Sequence, residues 1–254
     1  MKRPLYTDTI TEINHAGDAN FILNHMKQLV QKLSSWLPGA FDGLATVQDA
    51  AVTRAPDKAY LAYTQSVTAL AAKLACVDGA PVKAEFDAFS ALFAFDKVDA
   101  HLLKRVFIKH AQETADHVDQ YARSLAAMKL SAMQREELLR RLTLLGACDG
   151  RLSPIEIQCL KDIADTLGLS QAVWRETLKP HLGLNPNADP YTILGVNRRA
   201  SLADIRARYV EMLRVSHPDQ LASLTLSDAT RELLHDYARA LVSAYETLAK
   251  QRKL

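Results

Sequence analysis

The residues of this sequence that could do chemistry fall into a few groups. His217, Pro218 and Asp219 stand together at the end of a helical pattern. Proline cannot continue a helix and pushes the residue before it toward extended backbone, so the tripeptide must end that helix. An imidazole then sits near the negative end of the helix dipole, with a carboxylate just beyond. The break holds a short loop rigidly off the end of a basic helix. His110, Glu113 and His117 stand at i, i+3 and i+7 and could share one helix face. Zincin chemistry requires HExxH, with histidines four apart, and that order is absent, so a solvated charged face is the preferred reading. Cys76, Cys148 and Cys159 are an odd number without paired spacing, which fits small core residues of a reducing compartment. GxSxG, the Walker lysine motif and GxGxxG do not occur. The chain is read as a non-enzyme that needs no cofactor.

Helices carry these residues. Nine glycines in 254 residues are too few for the turns of a β-sandwich or barrel. Alanine and leucine dominate, and both rank high in helix propensity. The expected fold class is all-α. From Phe21 an amphipathic stripe of Ile22, Met26, Leu29, Leu33 and Trp36 predicts a helix over 21–37, stopped by Pro38-Gly39. It fits packing on the body of its own chain or on a second copy, a homodimer. Peripheral contact with a membrane is the alternative, for which Lys27 and Lys32 are a thin basic face. Residues 1–57 are thus a helix and a connecting segment, and helical patterns fill 58–182. Residues 183–188, within a stretch holding Gly183, Asn185, Pro186 and Asn187, read as a linker, and 189–254 as a separate unit.

Charge excludes a nucleic-acid coat: 31 Lys+Arg against 29 Asp+Glu leaves +2. Ten of those basic and eight of the acidic residues lie in 188–254, so the small excess belongs to the C-terminal unit. With 48% apolar residues the chain can bury a core. The N-terminus lacks the apolar run of a signal peptide, and no stretch is long and apolar enough to span a bilayer. A cytoplasmic protein is expected.

The middle region contains a degenerate repeat. ACVDGAPVKAEF (75–86) and GACDGRLSPIEI (146–157) align Asp78-Gly79 with Asp149-Gly150 and Glu85 with Glu156, at an offset of 71. In the second copy Gly150 can close one helix, Ser153 caps the next, Pro154 takes its first position and Glu156 completes a capping box. The first copy has Val82 where the cap would be. This pattern, twice in a helical region, resembles TerB-like domains over roughly 58–182. The resemblance implies a compact helical bundle that brings Asp78, Glu85, Asp149 and Glu156 together, where they could hold a divalent cation. Turn and cap chemistry explains the same residues, and an EF-hand loop needs more oxygen ligands. No metal site is assigned.

The C-terminal unit opens with DPYTILGV (189–196). Ser201 and Asp204 make a capping-box-like helix start, and Ile205, Tyr209, Met212 and Ser216 line one side. After His217-Pro218-Asp219 a second helix runs from about Ser227, with Leu234, Leu241, Ala244, Tyr245 and Leu248 facing inward. This order resembles a J domain, the module of DnaJ (Hsp40) co-chaperones that stimulates Hsp70 ATPases. The resemblance implies a small helical hairpin in which Asp219 meets a basic group on Hsp70 while His217 and Pro218 shape the loop. It also implies that a basic face of the preceding helix docks on an acidic Hsp70 surface, here through Arg206, Arg208 and Arg214. Many J domains carry two basic residues straight after the tyrosine; this chain has Val210 and Glu211, and Gln220 where lysine often follows the tripeptide. A weaker or more selective contact is expected, with Arg198, Arg199 and Arg208 in compensation. There is no Gly/Phe-rich segment and no CxxCxGxG repeat, and a TerB-like domain before a C-terminal J domain resembles the layout of DjlA-like co-chaperones. Their membrane anchor is not carried over. The expected function is recruitment of a DnaK-type Hsp70 to an unknown client or location. The alternative is a metal- or stress-responsive binding protein with a TerB-like sensor and a J-domain output.

Overall fold

The computed structural model describes residues 58–77, 83–93, 95, 100–112, 118–149, 151–185, 187–216 and 218–252, all within one compact unit, Gly43–Leu254. The helix expected over 21–37 lies outside them. Among the described residues every regular element is helical, as the composition predicts.

Helix α1 (Lys58–Leu74) is built from KAYLAYTQSVTALAAKL. From Ser66 to Leu74 every residue is buried, so this stretch is enclosed on all sides and forms the axis of a bundle. The buried Thr68 hydroxyl is satisfied by donating to the Thr64 carbonyl one turn back, at 2.7 Å. Around α1 pack α3 (Ala100–Gln112), α4 (Val118–Ala126), α5 (Ala132–Gly146) and α6 (Pro154–Thr166). Helix α2 (Lys83–Leu92) leans on α5 and contributes an aromatic cluster. Phe89 lies 5.2 Å from Phe107 of α3 and 5.3 Å from Phe93, and Phe86 meets Phe107 edge-on at 5.4 Å. Such tilted and edge contacts contribute about 0.5–1.5 kcal/mol each beyond burial. Helix α7 (Gln171–Leu178) closes the bundle with a fully buried Trp174.

The joint between α5 and α6 follows the capping signals. A short 3-10 turn, Ala147–Asp149, ends α5, and α6 starts from Ser153 with Pro154 in its first turn. The Ser153 amide donates to Glu156 at 2.7 Å, and the Glu156 amide donates to the Ser153 hydroxyl at 3.2 Å. A β-carbon on Gly146 would stand 2.9 Å from Leu152, so glycine permits the close return of the chain here.

The C-terminal unit comprises α8 (Pro190–Ile193), α9 (Leu202–Val215), α10 (Pro218–Ala222) and α11 (Asp228–Gln251). Helices α8 and α9 both pack on α11. Ile205, Met212, Leu194 and Leu221 are buried, as are Leu233, Leu234, Leu241, Ala244 and Leu248 of α11. At roughly 1.5–3 kcal/mol for each large side chain, this small core holds the hairpin closed. Helix α11 also lies against α6, so the hairpin is seated on the bundle. The segment expected as a linker begins tightly. Gly183 has φ of +61°, its successor Leu184 donates to the Lys179 carbonyl at 2.9 Å, and a β-carbon on Gly183 would sit 2.7 Å from Ile193. That is a left-handed helix terminus pressed against α8.

Candidate functional site

The tripeptide at 217–219 is positioned by the helices on either side of it. Helix α9 is capped by Ser201 and Asp204, each of whose amides donates to the other's side chain at 3.1 Å. The Ser201 hydroxyl, which donates to the Asp204 carboxylate at 2.6 Å, and the Ser201 amide hold that carboxyl below its usual range. At the far end, Ser216 is the buried C-cap and its amide donates to the Arg214 carbonyl. His217 lies outside the described residues. Pro218 then opens α10, so the break in α9 restarts at once as a short helix, with exposed Asp219 in its first turn. Proline suits that first position because its φ is already helical and its missing N–H would be unpaired there anyway.

Arg231 fixes the far side of the loop. Its guanidinium reaches from α11 to the carbonyls of Leu221 and Leu224, each at 3.2 Å. No periodicity or motif marks Arg231 for this role; its partners are backbone atoms brought near only when the hairpin closes. The two motif tyrosines do meet: Tyr209 and Tyr245 stack with centroids 4.4 Å apart and planes 9° apart. They tie the middle of α9 to the end of α11.

The basic residues divide into two groups. Arg206 and Arg214 are exposed on α9, two turns apart, with exposed Val210 between them. Arg208 is largely covered and donates to Glu211 at 2.9 Å, so its charge is shared with a carboxylate rather than offered outward. Arg198 is held by Asp189 at 3.0 Å and lies 5.3 Å from the centre of the Tyr191 ring. Arg199 is exposed. The structure therefore brings Arg206, Val210, Glu211 and Arg214 onto the stretch of α9 that leads to Asp219, with Arg208 as the internal partner of Glu211.

The bundle adds polar contacts that sequence reasoning missed. Arg175 of α7 pairs with Asp236 of α11, which Arg239 also contacts, and with Glu232 at 3.8 Å. The Ser227 amide donates to Gln158 of α6 at 2.8 Å. Arg151, in the lead-in to α6, pairs with Glu211 at 3.4 Å. All three join residues more than 55 positions apart, and single charged residues on polar faces carry no local signal of such partners.

The other candidate groups resolve differently. His110 is buried and its Nδ1 lies 3.0 Å from the Tyr121 hydroxyl, which corrects the expected solvated face; Glu113 and His117 lie outside the described residues. The reason is that α3 and α4 both pack on α1, which brings the Tyr121 phenol of α4 to the imidazole. Among the four repeat acids, Glu156 is buried with one carboxylate oxygen on the Ser153 amide, and Glu85 is half-buried in the first turn of α2. Asp78 lies outside the described residues, and Asp149 ends the 3-10 turn. Cys159 is buried, and burial pushes its thiol up to about 12; Cys76 and Cys148 are half-buried. Cys76 points its sulfur at the Ala111 carbonyl, 3.5 Å away.

Residues 64–178 match the family model of the tellurite resistance protein TerB. The chain is 26% identical over 156 residues to the co-chaperone protein DjlA of Haemophilus ducreyi, a match covering 47% of this chain and 54% of that protein. It is 29% identical over 85 residues to the co-chaperone protein DjlA of Photobacterium profundum, covering 34% and 27% respectively. The matches thus span about half the length of the first relative and about a quarter of the second. No solved structure matches. The central bundle is TerB-like, and the chain carries weak homology to DjlA co-chaperones.

Proposed function

We propose that this chain is an Hsp70 co-chaperone whose C-terminal hairpin is a J domain. In this reading Asp219 makes the charged contact with Hsp70, His217 and Pro218 shape the loop, and the exposed face of α9 carrying Arg206 and Arg214 docks on an acidic surface. Docking favours the hydrolysing state of Hsp70, and the chain itself hydrolyses nothing. The TerB-like bundle recruits a client or fixes a location, with the cytoplasm as the compartment; among the described residues no helix is long and apolar enough to cross a membrane.

The observation that carries the reading is the exposed Asp219 in the restarted helix after α9, on a hairpin seated against a TerB-like bundle, in a chain with homology to proteins named as co-chaperones. Opposite charges at such a contact mainly set encounter rate and register, while loss of a desolvated charged partner costs far more. Steady-state ATP hydrolysis by a DnaK-type Hsp70 is therefore expected to rise with added full-length chain and to stay at its basal rate with Asp219→Asn. Absence of stimulation by the wild type, across the Hsp70s of its host, would sink the reading.

A further inference from the structure

We infer that Arg151 of the TerB-like bundle belongs to the Hsp70-docking face, lending α9 a positive charge across the domain boundary. The inference rests on the J-domain reading above and names a contact that this reading does not contain.

The α9 face is short of charge where it should be basic. Val210 is exposed and apolar, and Glu211, exposed beside it, is acidic. Taken alone, the hairpin would present Arg206 and Arg214 with a carboxylate between them. The tertiary structure alters that field. Glu211 is gripped from within the hairpin by Arg208 at 2.9 Å and from outside it by Arg151 at 3.4 Å. The side chains of Arg151 and Glu211 are 43% and 54% exposed, so this pair faces solvent at the rim of α9 and is open to an approaching surface. Two guanidiniums on one carboxylate leave a net positive charge at that spot, and Arg208 and Arg151 together hold the Glu211 carboxyl below its usual range. The carboxylate thus remains charged and keeps Arg151 beside the docking helix.

Arg151 can play this part only if the bundle and hairpin hold their relative placement. Two further contacts supply that: the Arg175–Asp236 pair and the Ser227 amide on Gln158. The Arg151–Glu211 pair lies across the same boundary. An exposed pair of this kind contributes little to folding stability. Its charge still counts in steering an acidic partner, because rim charges act on association rate and salt dependence.

The test measures Hsp70 ATPase stimulation against concentration for full-length wild type, Arg151→Glu, Glu211→Gln and Asp219→Asn. Arg151→Glu is expected to raise the half-maximal concentration about three- to tenfold at low salt while leaving the plateau unchanged, with the gap closing as salt rises. Glu211→Gln breaks the same pair but adds positive charge to the face, so it is expected to lower the half-maximal concentration. A merely structural pair would weaken stimulation in both variants, and that outcome overturns the inference. Unchanged or stronger stimulation by Arg151→Glu overturns it too. In both cases wild-type stimulation that Asp219→Asn abolishes leaves the co-chaperone reading standing. A wild type that fails to stimulate removes both.

Discussion

Among the contacts that seat the hairpin on the bundle is the Arg175–Asp236 ion pair, whose strength can be worked out from the structure. Arg175 and Asp236 have side chains 25% and 18% exposed, between an open surface pair and a buried one. Unit charges about 4 Å apart attract by about 4 kcal/mol at an effective dielectric near 20. Partial desolvation of both groups and the ordering of an arginine side chain take back much of this. Exposed pairs measure about 0.2–1 kcal/mol, and breaking a fully buried pair costs about 3–5. A coupling of about 1–2 kcal/mol is expected here. Arg239, whose side chain is 79% exposed, also contacts Asp236 and does not replace Arg175, because it belongs to α11 itself and spans no boundary. The perturbation is a double-mutant cycle of Arg175→Met and Asp236→Asn in the full-length chain. The assay is urea unfolding by far-UV ellipticity, with a common slope of about 1–3 kcal/mol per molar. Each single variant should lower the midpoint, and the double variant should fall short of the sum by about 0.5–1 M. Strictly additive midpoints would mean that the two charges do not sense each other, and would remove this pair from the seat of the hairpin. The hairpin would then be held by the packing of α11 on α6 and by the other contacts across the boundary, Ser227 to Gln158 and Arg151 to Glu211.

Two further predictions concern the joint between the halves. Surrounding protein pushes the His181 imidazole down to about 4, so the unfolded chain takes up its proton near 6.5 and the folded chain resists. Stability is therefore complete above pH 6.5, falls as pH drops toward 4, and has lost at most about 3 kcal/mol there. His181→Asn should flatten that part of the stability profile between pH 7 and 4; parallel profiles for the two chains would remove His181 as the cause. Gly183→Ala should destabilise by about 1–3 kcal/mol in the same urea assay, because φ of +61° strains any β-carbon and Ile193 stands 2.7 Å from it. An unchanged midpoint would show that the turn at Gly183 is not pressed against α8.

Much of this architecture is local and was legible as such. Ser153-Pro154 with Glu156, and Ser201 with Asp204, announce helix starts because a cap needs only residues three positions apart, and both boxes form. The Tyr209 and Tyr245 motif positions stack because each sits on the apolar stripe of its own helix, and two stripes in a hairpin must face each other. His110 escaped the same logic. Its polar neighbours in sequence suggest solvent, and only the packing of α3 and α4 on α1 supplies the Tyr121 hydroxyl that lets it be buried. Arg208 escaped too. Read along the chain it is one more positive charge on α9, while in space it is spent on Glu211.

The all-α class, the helix starts, and the order of motifs that leads to Asp219 are written locally in the chain. Those follow from periodicity, capping and proline geometry, which act over a few residues. The electrostatic face around α9 and the orientation of the hairpin arise only when the chain is folded. Arg151, Arg175, Gln158 and Arg231 owe their roles to partners that chain folding brings from far away. A charge at a surface has no period to betray its partner, because Coulomb attraction depends on distance in space and is indifferent to separation along the chain.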